Sequence, residues 1–164
     1  MAKPRTDVET TIPSFYHDAR TTPDILARRE WTRQWWTRAS TDAELVTSIA
    51  VLDELAGGPE ERKGDWLALV RDLPLLPVEP AIAEIVEAYL QHKVMPAHPA
   101  GDALHLALAS YHKCEFLVTW NCQHLANANK FGHIRRINGM LGLYVPLLVT
   151  PLELLGANDA TEAQ

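Results

Sequence analysis

The sequence predicts an α/β fold with a mainly parallel sheet of about five strands. Three observations carry this. Short apolar runs that suit strands alternate with longer segments of helical periodicity, the pattern of α/β domains. At 164 residues and 47% hydrophobic, the chain suits one domain with one sizeable core. Acidic or amide residues fall where apolar strand-like runs end or helix-like ones begin, the edge at which open α/β sheets bind ligands.

Taken in order, residues 5–9 read as a short first strand. Pro13 starts a helical turn, where its missing N–H is harmless. Pro23 opens a long helix ending near Ser40. Ile25, Leu26, Trp31, Trp35 and Trp36 fall broadly on one of its faces, and Arg28, Arg29, Arg33 and Arg38 largely take the rest. Residues 44–48 form the second strand. Residues 49–56 follow as a short helix, stopped by Gly57-Gly58-Pro59. A helix over 60–73, a strand over 75–78 and a helix over 79–93 come next. The stretch from Met95 to Gly101 is a clear break. Asp102 then caps a strongly apolar helix running to about Lys113. Residues 116–119 are the fourth strand, 127–144 are partly helical, and 146–149 are the last strand. Pro151 opens a short helix. Residues 1–155 thus form a single domain, and 156–164 a polar, frayed tail.

Composition excludes several classes. The longest apolar run, Gly142 to Val149, is broken by Pro146 and falls far short of the ~20 residues of a membrane span. The N-terminus lacks the apolar core of a secretory signal. Two cysteines, Cys114 and Cys122, make neither a disulfide scaffold nor a structural zinc site, which points to a reducing cytoplasm. The formal charge of −6 argues against indiscriminate nucleic-acid binding, yet allows a basic rim around an acidic centre. No His-x-x-x-His or Cys-x-x-Cys pair, glycine-rich phosphate loop, or serine or cysteine nucleophile beside a base is visible.

Four residues stand out: Glu9, Glu54, Asp102 and Asn121. A hard divalent cation needs oxygens converging from separate segments, and these residues can supply them. Each also has a plainer reading. Glu9 can be a solvated loop carboxylate, with Asp7 as a rival on the same strand face. Glu54 can lie on a solvated helix face, and on residues alone that is the commoner case. Asp102 can simply cap its helix. His105, one turn on, either hydrogen-bonds Asp102 or is a buried, satisfied histidine. The arginines of the long helix can be an ordinary solvated face, with Lys130, Arg135 and Arg136 as a second basic cluster.

The segments Glu9-Thr10-Thr11-Ile12-Pro13-Ser14, Asp102-Ala103-Leu104-His105-Leu106-Ala107 and Thr119-Trp120-Asn121-Cys122-Gln123-His124, in this order, resemble the PIN-domain nucleases, many of them VapC toxins of type II toxin–antitoxin pairs. The resemblance extends from Thr6 to about Leu155. It implies a three-layer α/β/α domain and a metal-dependent ribonuclease using Mg²⁺ or Mn²⁺. Glu9, Glu54 and Asp102 would be the metal ligands, and Asn121 would complete the catalytic set. It also implies an RNA substrate, an antitoxin partner and a homodimer, with the tryptophan-rich helix as a candidate dimer or antitoxin face, while core packing is the favoured reading for at least two of Trp31, Trp35 and Trp36. Two positions depart from the pattern. Glu9 stands where an Asp is usual, displacing the carboxylate by about 1.5 Å. Asn121 stands where many members have Asp, so the site loses one charge. These departures sustain two alternatives: a degenerate scaffold that binds RNA or a protein without cleavage, and a metal-independent fold in which the four residues are caps and solvated acids. Either Glu54 or Glu9 can serve as general base.

Overall fold

A computed structural model describes residues 2–97 and 101–162, with the side chains of 157–162 excepted. The elements are β1 (Arg5–Val8), α1 (Thr11–Tyr16), α2 (Pro23–Asp42), β2 (Glu44–Ser48), α3 (Ile49–Ala56), α4 (Glu60–Val70), β3 (Leu75–Leu76), α5 (Pro80–Gln91), α6 (Gly101–Tyr111), β4 (Phe116–Val118), α7 (Ala128–Met140), β5 (Leu147–Val149) and α8 (Pro151–Glu162). The five strands form one sheet in the order β3-β2-β1-β4-β5. Every pairing is parallel. Parallel neighbours need a crossover, and helices supply it on both faces.

Alternation along the strands divides the core. Val46, Leu117 and Leu148 pack with Ile82, Ile85 and Tyr89 of α5, Leu106 of α6 and Ile134 of α7. Val8, Leu45 and Val118 face the other way, onto Ile12, Trp35, Ala39 and Leu155. The result is three layers, α/β/α. On β1 the first face receives Asp7, whose register partners are Val46 and Leu117. An acid thus stands in a row of apolar side chains. Trp35 is buried, while Trp31 and Trp36 are half-buried against the same core. The tryptophans of this helix are therefore turned inward, Trp35 fully and Trp31 and Trp36 in part.

Several boundaries differ from the sequence reading. α4 ends at Val70 rather than near 73, and β3 has two residues rather than four. Pro74 and Pro77 flank β3 and offer no N–H to a ladder. α8 continues to Glu162, through residues expected to fray. Gly101 is already helical, so Asp102 lies in the first turn of α6 and is not its cap. The expected break from Met95 to Gly101 falls partly outside the described residues, at 98–100. Lys93 and Lys113, just past α5 and α6, both have φ of 56°, a left-handed conformation that favours glycine. Among the described residues no helix is long and apolar enough to cross a membrane.

Candidate active site

Four segments meet at the C-terminal edge of the central strands. Glu9 follows β1 directly, Glu54 lies in α3 after β2, Asp102 opens α6, and Asn121 follows β4. Ser48 fixes the start of α3 by accepting from the Val51 N–H at 3.3 Å. This orients the helix that carries Glu54.

Glu9 is 3% exposed. Thr119 Oγ1 donates to its Oε2 at 2.8 Å, and the Thr11 N–H donates to its Oε1. Burial pushes its pKa up, while His105, Thr11 and Thr119 oppose this without cancelling it. Asp7, one step deeper on the same strand face, is buried with an Oδ1 that no group satisfies among the described residues. Burial raises its pKa to about 7. The His105 charge works against that rise and the Glu9 charge adds to it.

His105 is the centre of the arrangement. It is 2% exposed, and its Nε2 lies 2.9 Å from Glu54 Oε1. Burial alone would lower its pKa. The Glu54 hydrogen bond and the charges of Glu9, Glu54 and Asp7 outweigh burial and bring it to about 9. At neutral pH the imidazole is therefore protonated and donates to Glu54. Thr10 Oγ1 donates to the other Glu54 oxygen at 2.6 Å. Burial would raise the Glu54 carboxyl, but the His105 and Thr10 bonds hold it below the usual range. A Cβ on Gly101 would lie 2.7 Å from Glu54 Oε1, so the carboxylate rests directly on the start of α6. Any side chain at position 101 would make the Glu54 carboxylate shift.

Asp102 and Asn121 form the second half of the site. Asn121 Nδ2 donates to Asp102 Oδ1 at 3.1 Å, and Asn121 Oδ1 accepts from the His124 N–H at 3.0 Å. The amide bridges two protein groups, so Asn121 positions Asp102 here. His105 bonds Glu54 and not Asp102, which corrects one of the two expectations for that histidine.

The donor chemistry suits a hard divalent cation: three carboxylates from separate segments, with an unsatisfied buried Asp7 oxygen nearby. The arrangement nevertheless keeps each carboxylate on a protein partner. Among the described residues no three His, Cys, Asp or Glu side chains stand close enough to hold a metal ion. Glu9 and Glu54 are gathered around the His105 cation, whereas Asp102 is held by Asn121.

Residue reading singled out Glu9, Glu54, Asp102 and Asn121, but not the linking role of His105 or the depth of Asp7. The signal for Asp7 was its two-residue spacing from Glu9. The signal for His105 was its polarity in an otherwise apolar helix.

No curated protein matches the chain by sequence. In fold, the chain is similar to one in the crystal structure of VapBC2 from Rickettsia felis bound to a DNA fragment from their promoter. The TM-score is 0.57 at 14% identity, covering 89% of this chain and 98% of that one. The PIN domain family model matches residues 25–125, a span that includes Glu54, Asp102 and Asn121 and begins after Glu9. With that match over more than half its length, and with this topology, the chain belongs to the PIN domain family.

Proposed function

We propose that this PIN domain is a ribonuclease that hydrolyses RNA phosphodiester bonds with Mg²⁺ or Mn²⁺, and that it is the toxin of a toxin–antitoxin pair. The observation that carries the reading is the placement of Glu9, Glu54 and Asp102 on three segments that reach the C-terminal edge of a parallel sheet. When bound, the cation would polarise the scissile phosphate and lower the pKa of an attacking water. Glu9, Glu54 and Asp102 would hold it. The residues around them set those carboxylates in place. Thr119 and Thr11 fix Glu9, His105 and Thr10 fix Glu54, and Asn121 fixes Asp102 through Oδ1, with no hydrogen bond to Asp102 Oδ2 among the described residues.

The fold neighbour is a VapBC assembly by its description, which supports an antitoxin as partner. A homodimer and a cytoplasmic location belong to the same proposal. A second reading, a scaffold that binds RNA or a protein without cleaving, is favoured by one observation. His105 bonds Glu54, and its pKa is raised to about 9 by that bond and by the charges of Glu9, Glu54 and Asp7, so the protein itself supplies a partner for these acids.

The test is thermal unfolding with and without millimolar Mn²⁺, on wild type and Asp102→Asn, followed by RNA cleavage. A ligand of the folded state must raise its stability. The ribonuclease reading expects a metal-induced rise and cleavage in wild type, both lost in the variant. Cleavage that survives Asp102→Asn refutes the site. A metal effect without cleavage across several RNAs favours the scaffold.

A further inference from the structure

The four arginines of α2 have different partners. Arg29 donates from Nη1 to the Asp18 carbonyl at 3.0 Å, and Arg33 from Nε to the Tyr16 carbonyl at 2.8 Å, so both pin the connection from α1 to α2. Arg38 has partners elsewhere. Arg28 is held by rings. Its guanidinium carbon lies 5.2 Å from the centroid of the Trp120 ring and 5.6 Å from that of Phe15, within cation–π range. Among the described residues nothing accepts a hydrogen bond from it. Asp24, one turn earlier, feels its charge without forming an ion pair.

Trp120 is itself fixed. Its Nε1 donates to Thr32 Oγ1 at 2.8 Å, its backbone N–H donates to Thr11 Oγ1 at 2.8 Å, and its ring stacks on Trp31 at 6.2 Å and 27°. It stands between Thr119, which holds Glu9, and Asn121, which holds Asp102. A guanidinium held within cation–π range of such a ring still has N–H donors for an oxyanion.

Lys130 is the counterpart in the opposite layer. It lies in α7, half-buried, with Nζ 3.5 Å from Met95 Sδ and no carboxylate in ion-pair range among the described residues. The Asp102 charge acts on it. A half-buried ammonium beside a thioether has donors left for an anion. Arg28 therefore belongs to the layer of α1 and α2, Lys130 to the layer of α5, α6 and α7, and the acids lie at the sheet edge between them. In a chain of net charge −6, attraction for a polyanion must come from such local cations.

We propose that Arg28 and Lys130 bind backbone phosphates of a single-stranded RNA on opposite sides of the acidic centre, so that the strand crosses the sheet edge from α2 to α7. This rests on the ribonuclease reading for the identity of the strand.

The test measures binding without turnover: fluorescence anisotropy of a labelled single-stranded RNA, without divalent metal, across a salt series. The variants are Arg28→Ala, Arg28→Lys, Lys130→Met, Lys130→Arg and a control, Arg136→Ala, from the exposed far part of α7. Melting temperatures monitor folding. Arg28→Ala and Lys130→Met should each weaken binding about tenfold near 0.1 M salt and lower the log–log salt slope by about 0.7. Lys130→Arg should restore binding. Arg28→Lys should not restore it fully, because an ammonium does not stack on the rings as a planar guanidinium does. The assignment is overturned if both removals bind like wild type, if they lose no more than Arg136→Ala, or if wild type binds no single-stranded RNA. The two readings fail separately. RNA bound with these losses but never cleaved sinks the ribonuclease reading alone. RNA cleaved with unchanged slopes sinks the phosphate assignment alone.

Discussion

Replacing Asp7 with Asn should make the protein more resistant to unfolding at alkaline pH, and the size of the gain follows from the structure. Asp7 is buried, one of its oxygens has no hydrogen-bond partner among the described residues, and its pKa rises from 3.8 to about 7 through burial, against the His105 charge and with that of Glu9. Between these values the folded state holds a proton that the unfolded state has lost. Stability therefore falls as pH rises through this window, and the full penalty is reached above pH 7. A shift of roughly three units corresponds to about 4 kcal/mol, of which about 3 kcal/mol develops between pH 5 and pH 8. Asn carries no charge, so Asp7→Asn should lack this component. Urea unfolding of both proteins at pH 5, 6, 7 and 8, without divalent metal, measures it as a difference between two pH profiles. Any constant cost of the amide cancels in that difference. The gap should widen with pH in favour of the variant. Parallel profiles would mean that Asp7 stays ionised at little cost and that the account of the buried acid is wrong.

The remaining predictions concern space and backbone. Gly101→Ala would place a methyl 2.7 Å from Glu54 Oε1 and must displace that carboxylate from His105. The His105 pKa, followed by NMR, should fall well below about 9, and an unchanged titration would refute the contact. Lys113→Gly relieves a left-handed residue at φ 56° and should stabilise the fold by about 1 kcal/mol, measured by urea unfolding. A loss of stability there would argue against the left-handed conformation.

Much of the fold was legible because its signals are local. Pro23 and Pro151 mark helix starts, and β2 and α3 have the limits that their apolar patterns suggested. Boundaries failed where a local pattern competed with the tertiary setting. Leu75 to Val78 looks like a strand, but Pro77 leaves only two residues able to pair beside β2. Residues 157–162 look polar and loose in the sequence, yet their backbone prolongs α8.

By itself the sequence determined the order of strands and helices, the parallel class of the sheet, and the fact that Glu9 and Asn121 follow strands, Asp102 opens a helix and Glu54 lies in the helix after the second strand. Periodicity and turn chemistry act over a few residues, so one dimension carries them. The tertiary structure decided who holds whom. His105 bonds Glu54 from 51 positions away and not Asp102 three positions away, and Thr119 reaches Glu9 across 110. It also decided that Asp7 is buried with an oxygen unsatisfied among the described residues, and that Arg28 rests against Trp120 while Arg29 and Arg33 bond backbone carbonyls between α1 and α2. These outcomes depend on which side chains the sheet and its crossovers bring within about 3 Å for hydrogen bonds and about 6 Å for ring contacts, distances that sequence separation does not encode.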